Sequence, residues 1–88
     1  MNKQASLLQF PCSYPLKAMG RNTNAFHATV SAIVEKHVAS GNNVAYSTRI
    51  SSGDRYVSIT ATFIAQSPEQ LGAIYDELGR SELVLITL

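Results

Sequence analysis

Disulfide-stabilised scaffolds are excluded for this chain, because Cys12 is its only cysteine and one thiol cannot form an internal bridge. A lack of paired cysteines is typical of proteins that fold in a reducing compartment. No stretch approaches the roughly 18 apolar residues that a membrane helix requires, and the first residues lack the apolar core of a signal peptide. We therefore expect a soluble, cytoplasmic protein.

The chain also has little charge of either sign. Seven Lys and Arg residues against six Asp and Glu residues leave a formal net charge of +1, which is too small for electrostatic capture of a nucleic-acid backbone. Hydrophobic residues make up 45% of the sequence, a fraction typical of a folded domain rather than a disordered chain. We expect one domain over residues 10–88, preceded by a flexible, polar arm at residues 1–9.

Local signatures of catalysis or metal binding are missing. The glycines stand singly, so there is no phosphate-cradling loop. Cys12 has no adjacent group that would stabilise a thiolate, which favours a structural role. His27 and His37 would lie about 15 Å apart along a helix and cannot share a metal within one molecule. Asp76 and Glu77 diverge by about 100° on a helix and form no dyad. The sequence thus predicts no catalytic residue, no metal and no cofactor.

Periodic apolar residues are what the sequence does have. Alternation from Cys12 to Met19 predicts a first strand with one buried face, closed by Gly20. Pro15 has no N–H, so the start of this strand should be unpaired on one side. A last strand, Glu82–Leu88, is apolar on both faces.

Two amphipathic helices are predicted. The first begins at Thr23 or Asn24 as N-cap and stops at Ser40–Asn43. The second begins at Ser67–Gln70, where Ser is the cap, Pro takes the first position and Gln reaches back, and it ends at Gly79. Their apolar stripes are Phe26, Val30, Ile33, Val34 and Val38, and then Leu71, Ile74, Tyr75 and Leu78.

An antiparallel hairpin lies between the helices. Val44–Ser51 and Tyr56–Ala65 alternate with period two around a four-residue turn. One register, with Arg49 opposite Ser58, sorts both strands into an apolar and a polar face. The chain therefore has the order βαββαβ.

This order predicts an α+β, ferredoxin-like sandwich, in which two helices cover one face of a four-stranded antiparallel sheet. Right-handed crossovers place the first and third strands in the centre. The other face should present two cations, Lys17 and Arg49, beside several hydroxyl groups. Because an apolar edge strand such as Glu82–Leu88 promotes aggregation unless it is covered, we expect a homodimer.

Four stretches of the sequence together form a recognisable pattern: FPCSYPLKAMG, IVEKH, RISSGDRYVSIT and SPEQLGAIYDELGRSELVLITL. Their most characteristic residues are Phe10-Pro11, Lys17, Met19-Gly20, Ser51-Ser52-Gly53 with Tyr56 and Ser58, Glu69-Gln70, Tyr75 to Leu78 and Val84 to Leu88. The pattern covers Phe10 to Leu88 and resembles the small YbeD-like family of uncharacterised bacterial proteins. Cys12 lies where the family pattern tolerates other residues.

The resemblance implies a fold similar to the ACT regulatory domain, and a role in sensing a metabolite or modulating a metabolic enzyme rather than in catalysis. ACT-like domains place small ligands at subunit interfaces, near the loop between the first strand and the first helix, here Met19 to Asn24. A glycine there permits close backbone approach, and a helix N-terminus favours anions. The hypothesis is a small anionic or amino-acid ligand bound by Lys17, Gly20, Arg21, Asn22, Asn24 and Arg49.

Two other functions remain open at this point. One is an interaction adaptor that binds a larger enzyme through its edge strand or open sheet face, without a small ligand. The other is an RNA-recognition module, which shares the βαββαβ order but stacks bases on aromatic residues of its central strands. The open face of the third strand offers only Tyr56, so this reading is disfavoured. We expect no nucleic-acid partner, no membrane partner and no enzymatic activity.

Overall fold

Residues 8–88 are described by the computed structural model. Its elements are β1 (Cys12–Arg21), α1 (Asn24–His37), β2 (Ala45–Ile50), β3 (Tyr56–Ala65), α2 (Pro68–Arg80) and β4 (Val84–Thr87). The strands form one antiparallel sheet in the order β2-β3-β1-β4, which confirms the predicted ferredoxin-like fold with β1 and β3 in the centre. Most of the predicted arm, residues 1–7, lies outside the described residues. No helix within residues 8–88 is long and apolar enough to cross a membrane.

The core lies between the helices and one face of the two central strands. Alternate residues of β3 are buried, as the period-two pattern predicts. Each helix contributes its apolar stripe. The buried side chains are Leu16, Ala18, Val57, Ile59, Ala61, Phe63 and Ala65 from the sheet, and Phe26, Val30, Val34, Leu71, Ile74 and Leu78 from the helices.

The strand register agrees with the sequence in the hairpin. Arg49 lies opposite Ser58, as predicted. Pro15 pairs with Thr62 of β3. On its other side, β1 pairs with β4 only over residues 18–20, and Lys17 exchanges two backbone hydrogen bonds with Leu88. The side of Pro15 that lacks an N–H therefore faces no strand within the described chain, as predicted.

The helix-side face of β2 differs from the prediction. The pattern predicted an apolar, covered face, but all six residues of β2 are exposed. Tyr46 and Ile50 keep 40% and 52% of their surface. The two helices pack mainly on β1, β3 and β4, because two helices side by side span the central strands and leave the outer strand beyond them.

The ends predicted at Gly20 and Gly79 are wrong. β1 continues to Arg21, and α2 continues to Arg80 with Ser81 as its cap. Gly79 is exposed within the helix, and a Cβ there would have no heavy atom within 4 Å. It therefore does not interrupt a helix whose flanking residues all favour continuation.

Ser67 caps α2 as predicted, and Thr23, one of the two predicted candidates, caps α1. Thr23 Oγ1 accepts a hydrogen bond of 3.1 Å from the Phe26 N–H, and Ser67 Oγ accepts one of 3.1 Å from the Gln70 N–H. The Gln70 side chain reaches one residue further back than expected, accepting from the Gln66 N–H at 2.7 Å. Its Nε2 also donates to the carbonyl oxygen at the end of α1, 2.8 Å away. One glutamine thus caps both helices.

Glu77, in the last turn of α2, contacts the last two residues of α1. Its Oε1 accepts from Lys36 Nζ and from His37 Nε2, each at 2.8 Å. These hydrogen bonds, Lys36 first and then His37, lower the pKa of the Glu77 carboxyl below its ordinary value. The ionised carboxylate therefore favours the folded chain.

Acid should weaken this connection between the helices. Because the folded-state pKa of Glu77 is lowered, its contribution to stability is present above the ordinary pKa of 4.5 and is lost as the pH falls towards the folded-state pKa. We expect Glu77→Gln to flatten the dependence of Tm on pH between about pH 5 and pH 3. Asp76→Asn is the control, since Asp76 forms an exposed pair with Arg80 within one helix. Equal slopes for Glu77→Gln and the wild type would contradict the prediction.

Tyr14 of β1 and Tyr75 of α2 form a hydrogen-bonded pair that also contacts Leu88, next to β4. Tyr75 OH donates to the Leu88 carbonyl oxygen at 3.0 Å, so the 2.8 Å bond between the two hydroxyls is donated by Tyr14. Burial, and then the contact with Tyr14, raise the pKa of Tyr75. The Tyr75 hydroxyl thus connects three elements of the fold.

Tyr75→Phe should reduce the free energy of unfolding by about 1–2 kcal/mol, because it removes both hydrogen bonds of a partly buried hydroxyl. Tyr14→Phe removes only one of them and leaves the bond to Leu88, so it should cost less. Urea unfolding followed by circular dichroism measures both variants. A larger loss for Tyr14→Phe than for Tyr75→Phe would contradict this arrangement.

Candidate functional site

The face of the sheet that points away from the helices, which we call the open face, carries the candidate site. Its residues alternate with the buried ones along β1 and β3, and the register aligns them with residues of β2. Ser58 has Met19 on one side and Arg49 on the other. The open face consists of Ser13, Pro15, Lys17, Met19 and Arg21 from β1, Ala45, Ser47 and Arg49 from β2, and Tyr56, Ser58, Thr60, Thr62 and Ile64 from β3.

The charge of the open face has one sign. It has three cations, Lys17, Arg21 and Arg49, and none of its side chains is a carboxylate. The ion pairs found within residues 8–88 are elsewhere, on the helices. A chain with a net charge of +1 thus concentrates uncompensated positive charge on one surface, which attracts anions.

A hollow of about 170 Å³ lies on the open face, at the end where β1 leads to α1. Its lining residues are Met19, Arg49, Ile50, Ser51, Tyr56, Val57 and Ser58. Ser51 closes the β2–β3 turn, where its Oγ accepts from the Tyr56 N–H at 3.0 Å. The hollow therefore combines a guanidinium, hydroxyl groups and an apolar floor.

Arg21 lies beside the hollow. It is directly opposite Tyr56 in the register, and its guanidinium carbon is 5.9 Å from the centre of the Tyr56 ring. At this distance a cation is attracted to the face of an aromatic ring. Tyr56, which lines the hollow together with Arg49, thus contacts a second guanidinium.

Three of the six residues predicted from the sequence, Lys17, Arg21 and Arg49, share the open face. Lys17 lies opposite Thr60, and Arg49 lies opposite Ser58. The structure thus brings the predicted cations together on one surface, although they come from two strands.

Gly20 lies on the other face of the sheet. A Cβ at this position would be 2.5 Å from the Leu83 carbonyl oxygen and 2.6 Å from the Phe26 ring. The space that the missing side chain leaves is therefore filled by Leu83 and Phe26 of the protein itself.

Asn22 and Asn24 lie at the start of α1 rather than on the open face. Asn22 Oδ1 accepts from His27 Nε2 at 3.0 Å, and its backbone N–H donates to the Arg55 carbonyl oxygen at 2.9 Å. Asn24 is exposed at the first position of the helix. The Asn22 side chain thus has a partner within the fold, and neither residue lines the hollow.

The sequence reasoning missed the apolar part of the site. The sequence pattern predicts Met19 only as the end of the strand, whereas the alternation that exposes Lys17 also exposes Met19. Ile86 of β4 lies opposite Met19 and is 52% exposed. A bulge between Met19 and Gly20 sets this pairing, and no local sequence signal marks it.

The other chemical candidates remain apart. Cys12 is half-buried at the start of β1, opposite Ala65. His27 and His37 lie at opposite ends of α1. Within residues 8–88, no three His, Cys, Asp or Glu side chains come together as metal ligands.

Comparison with known sequences places these features in a family. Residues 5–88 match the family described as "Protein of unknown function (DUF493)". A UPF0250 protein of Chromobacterium violaceum is 33% identical over 87 residues, which cover 99% of this chain and 98% of the relative. A UPF0250 protein of Shewanella woodyi is 40% identical over 76 residues, which cover 86% and 84%.

Comparison with solved structures agrees on the fold. A protein from H. pylori superposes with a TM-score of 0.72 at 12% identity, covering 92% of this chain and 85% of that one. The ACT domain from the GTP pyrophosphokinase of Chlorobium tepidum superposes with a TM-score of 0.64 at 12% identity, covering 86% and 94%. The fold is therefore ACT-like.

Proposed function

The chain belongs to the DUF493 family of proteins of unknown function, as its resemblance to YbeD-like proteins predicted, and it has an ACT-like fold; from this premise we propose that it is a regulatory module that binds a small anion on its open face. The observation that carries the proposal is the hollow beside Arg49 and Arg21. In this proposal the occupancy of the anion site depends on the metabolic state of the cell. The chain then regulates a metabolic enzyme by binding to it.

The chemistry of the hollow favours an anion. A guanidinium binds carboxylate or phosphate through two parallel hydrogen bonds, and two guanidinium groups lie near the same end of the open face. The hydroxyls of Ser58 and Tyr56 add hydrogen-bonding groups. A free amino acid is less well matched, because the open face has no carboxylate side chain to receive an ammonium group.

The size of the hollow favours a small ligand. Its volume of about 170 Å³ is below the roughly 300–1,000 Å³ of sites for drug-sized molecules. A di- or tricarboxylate or a simple phosphate compound would fill it. The open-face side chains include no His, Cys, Asp or Glu, so its hydroxyl groups have no imidazole or carboxylate beside them to act as a general base.

Binding of simple anions tests the proposal. Citrate, succinate, inorganic phosphate and pyrophosphate are titrated into the full chain, with Tm and calorimetry as readouts. We expect at least one of them to stabilise the wild type, and Arg49→Gln or Arg21→Gln to weaken its binding about tenfold or more, since a hydrogen bond to a charged group contributes about 1.5–3 kcal/mol.

Arg80→Gln is the matched control. It removes the same charge from α2, where Arg80 pairs with Asp76, and should leave the affinity unchanged. An equal loss for Arg80→Gln would show that only net charge matters. Failure of all four anions to bind the wild type would contradict the proposal.

A second candidate function, the interaction adaptor, is favoured by exposed apolar side chains in and next to β4. Leu85, Ile86 and Leu88 keep 57%, 52% and 69% of their surface. An adaptor would bind an enzyme through these side chains, so Ile86→Ser would abolish the complex while Arg49→Gln would not. The anion-binding module predicts that Arg49→Gln alters the response of the bound enzyme to the anion.

A further inference from the structure

The outer edge of β2 presents a regular row of unpaired backbone groups. The Ser51 N–H donates to the Tyr56 carbonyl oxygen at 2.9 Å. Backbone groups in an antiparallel strand point alternately to its two sides. Those of Arg49, Ser47 and Ala45 therefore face β3, as those of Ser51 do. The N–H and C=O groups of Tyr46, Thr48 and Ile50 therefore point away from the sheet, where β2 has no neighbouring strand within residues 8–88.

The two edges of the sheet differ in how they are protected. β4 has four residues and a register shift where it pairs with β1, and both features hinder pairing with another strand. β2 has six residues in one continuous register, with no proline. The edge that the structure leaves available is thus β2 and not the apolar last strand.

We propose that two copies of this chain pair antiparallel along β2, with Thr48 on the two-fold axis. In this register Thr48 lies opposite Thr48 of the partner copy, and Tyr46 lies opposite Ile50 of the partner copy. Every outward-pointing backbone group then meets a partner, which gives about six hydrogen bonds. The sheets join into one.

The side chains select this register over its neighbours. Centring the pair on Thr48 places an aromatic side chain against a β-branched one, a favourable cross-strand pair, and covers two exposed residues, Tyr46 and Ile50. Centring it on Arg49 would place Arg49 opposite itself, and like charges directly opposite are unfavourable. Centring it on Ser47 would leave Ile50 beyond the partner strand.

Tyr46 is held in position for this contact. Its hydroxyl donates to Glu35 Oε2 of α1 at 2.6 Å, so the ring is fixed along the uncovered side of β2. Less side-chain entropy is then lost when the second copy binds.

The pairing also affects the hollow, and this consequence rests on the proposed anion site. Arg49 and Ser51 line the hollow and lie at the β2 edge. Ser47 of the partner copy comes opposite Arg49, so the partner contributes to the rim. The two Arg49 residues become diagonal neighbours, with Cβ atoms about 7–8 Å apart. An anion between them would relieve their repulsion and strengthen the dimer.

Matched proline substitutions at the two edges test the pairing. The Thr48 N–H and the Thr87 N–H both point away from the sheet, the latter because the adjacent Leu88 exchanges its hydrogen bonds with Lys17. Sedimentation equilibrium of the full chain should show a wild-type dimer. We expect Thr48→Pro to weaken the dimer at least tenfold and Thr87→Pro to leave it unchanged. A monomeric wild type at about 1 mM, or dissociation by Thr87→Pro alone, would overturn the proposal.

A disulfide measures the register without relying on a proline. In a Cys12→Ser background, Thr48→Cys should form a covalent dimer under mild oxidation, since residues in a hydrogen-bonded pair have Cα atoms about 5.5 Å apart, within disulfide reach. Ala45→Cys is the control, because the two copies of residue 45 would lie about 20 Å apart. Faster cross-linking at residue 45 would overturn the register.

Pyrophosphate separates the two proposals. If both hold, it strengthens the wild-type dimer but not the Arg49→Gln dimer. If the cross-link forms at residue 48 and pyrophosphate binds the wild type without strengthening the dimer, the edge pairing and the anion site stand and the bridging anion is refuted.

Discussion

Replacing Phe26 by alanine should lower the free energy of unfolding by about 3–5 kcal/mol, the usual cost of deleting a fully buried aromatic ring. Phe26 has 0% exposure, and its ring lies against Gly20 of β1. It joins the first turn of α1 to the centre of the sheet. Since domains of this size have free energies of unfolding of about 5–15 kcal/mol, this one substitution would remove a large part of the stability of the protein.

Two further variants keep this prediction testable if Phe26→Ala does not fold. Phe26→Leu retains most of the volume and should cost about 1.5 kcal/mol or less. Phe10→Ala removes the same ring from a partly buried position at the edge of the core and should cost less than Phe26→Ala. Urea unfolding measures all three, and a larger loss for Phe10→Ala would contradict the central position of Phe26.

The register of the hairpin could be predicted to the residue because its information is local. A strand has a side-chain period of two, so a slip of one residue would mix the apolar and polar faces, and the short turn fixes the register that places Arg49 opposite Ser58. The caps at Thr23 and Ser67 were predictable for the same reason, since each depends on a side chain three residues from the N–H that it binds.

The element ends at Gly20 and Gly79 could not be predicted, because glycine as a stop is only a tendency. At Gly20 the end of the element depends on tertiary packing. The Phe26 ring and the Leu83 carbonyl occupy the place of a Gly20 side chain, and the strand continues past this residue to Arg21. At Gly79 it depends on helix propensity, because one exposed glycine costs a helix only about 1 kcal/mol.

The candidate site was predictable in part. The alternation of residues within each strand was enough to assign Lys17 of β1 and Arg49 of β2 to the open face. The hollow depends on the β1–β3 register, which brings Met19 and Arg21 beside Ser58 and Tyr56; these partners are far apart in sequence. The choice of β2 over β4 as the available edge depends on which strands the helices cover and on the bulge where β4 pairs with β1. Neither feature has a local sequence signature.

Gly20→Ala should separate stability from binding at this site. The added Cβ would lie 2.5 Å from the Leu83 carbonyl oxygen and 2.6 Å from the Phe26 ring, and a backbone carbonyl cannot rotate away as a side-chain end can. Overpacking of this kind costs about 1–3 kcal/mol, or roughly 4–8 °C in Tm for each kcal/mol in a domain of this size. The new methyl group would point to the helices, away from the open face.

Anion affinity distinguishes this explanation from the sequence-based one. If Gly20 served to admit a ligand, as its place before α1 suggested, Gly20→Ala would weaken anion binding at little cost in stability. The structure predicts the reverse: a lowered Tm, with the affinity of the folded protein for the best of the four anions unchanged when measured well below Tm. The double variant Gly20→Ala with Phe26→Leu should recover only part of the loss, because the Leu83 carbonyl remains in place. An unchanged Tm together with weakened binding would place the ligand at Gly20, on the other side of the sheet from the hollow.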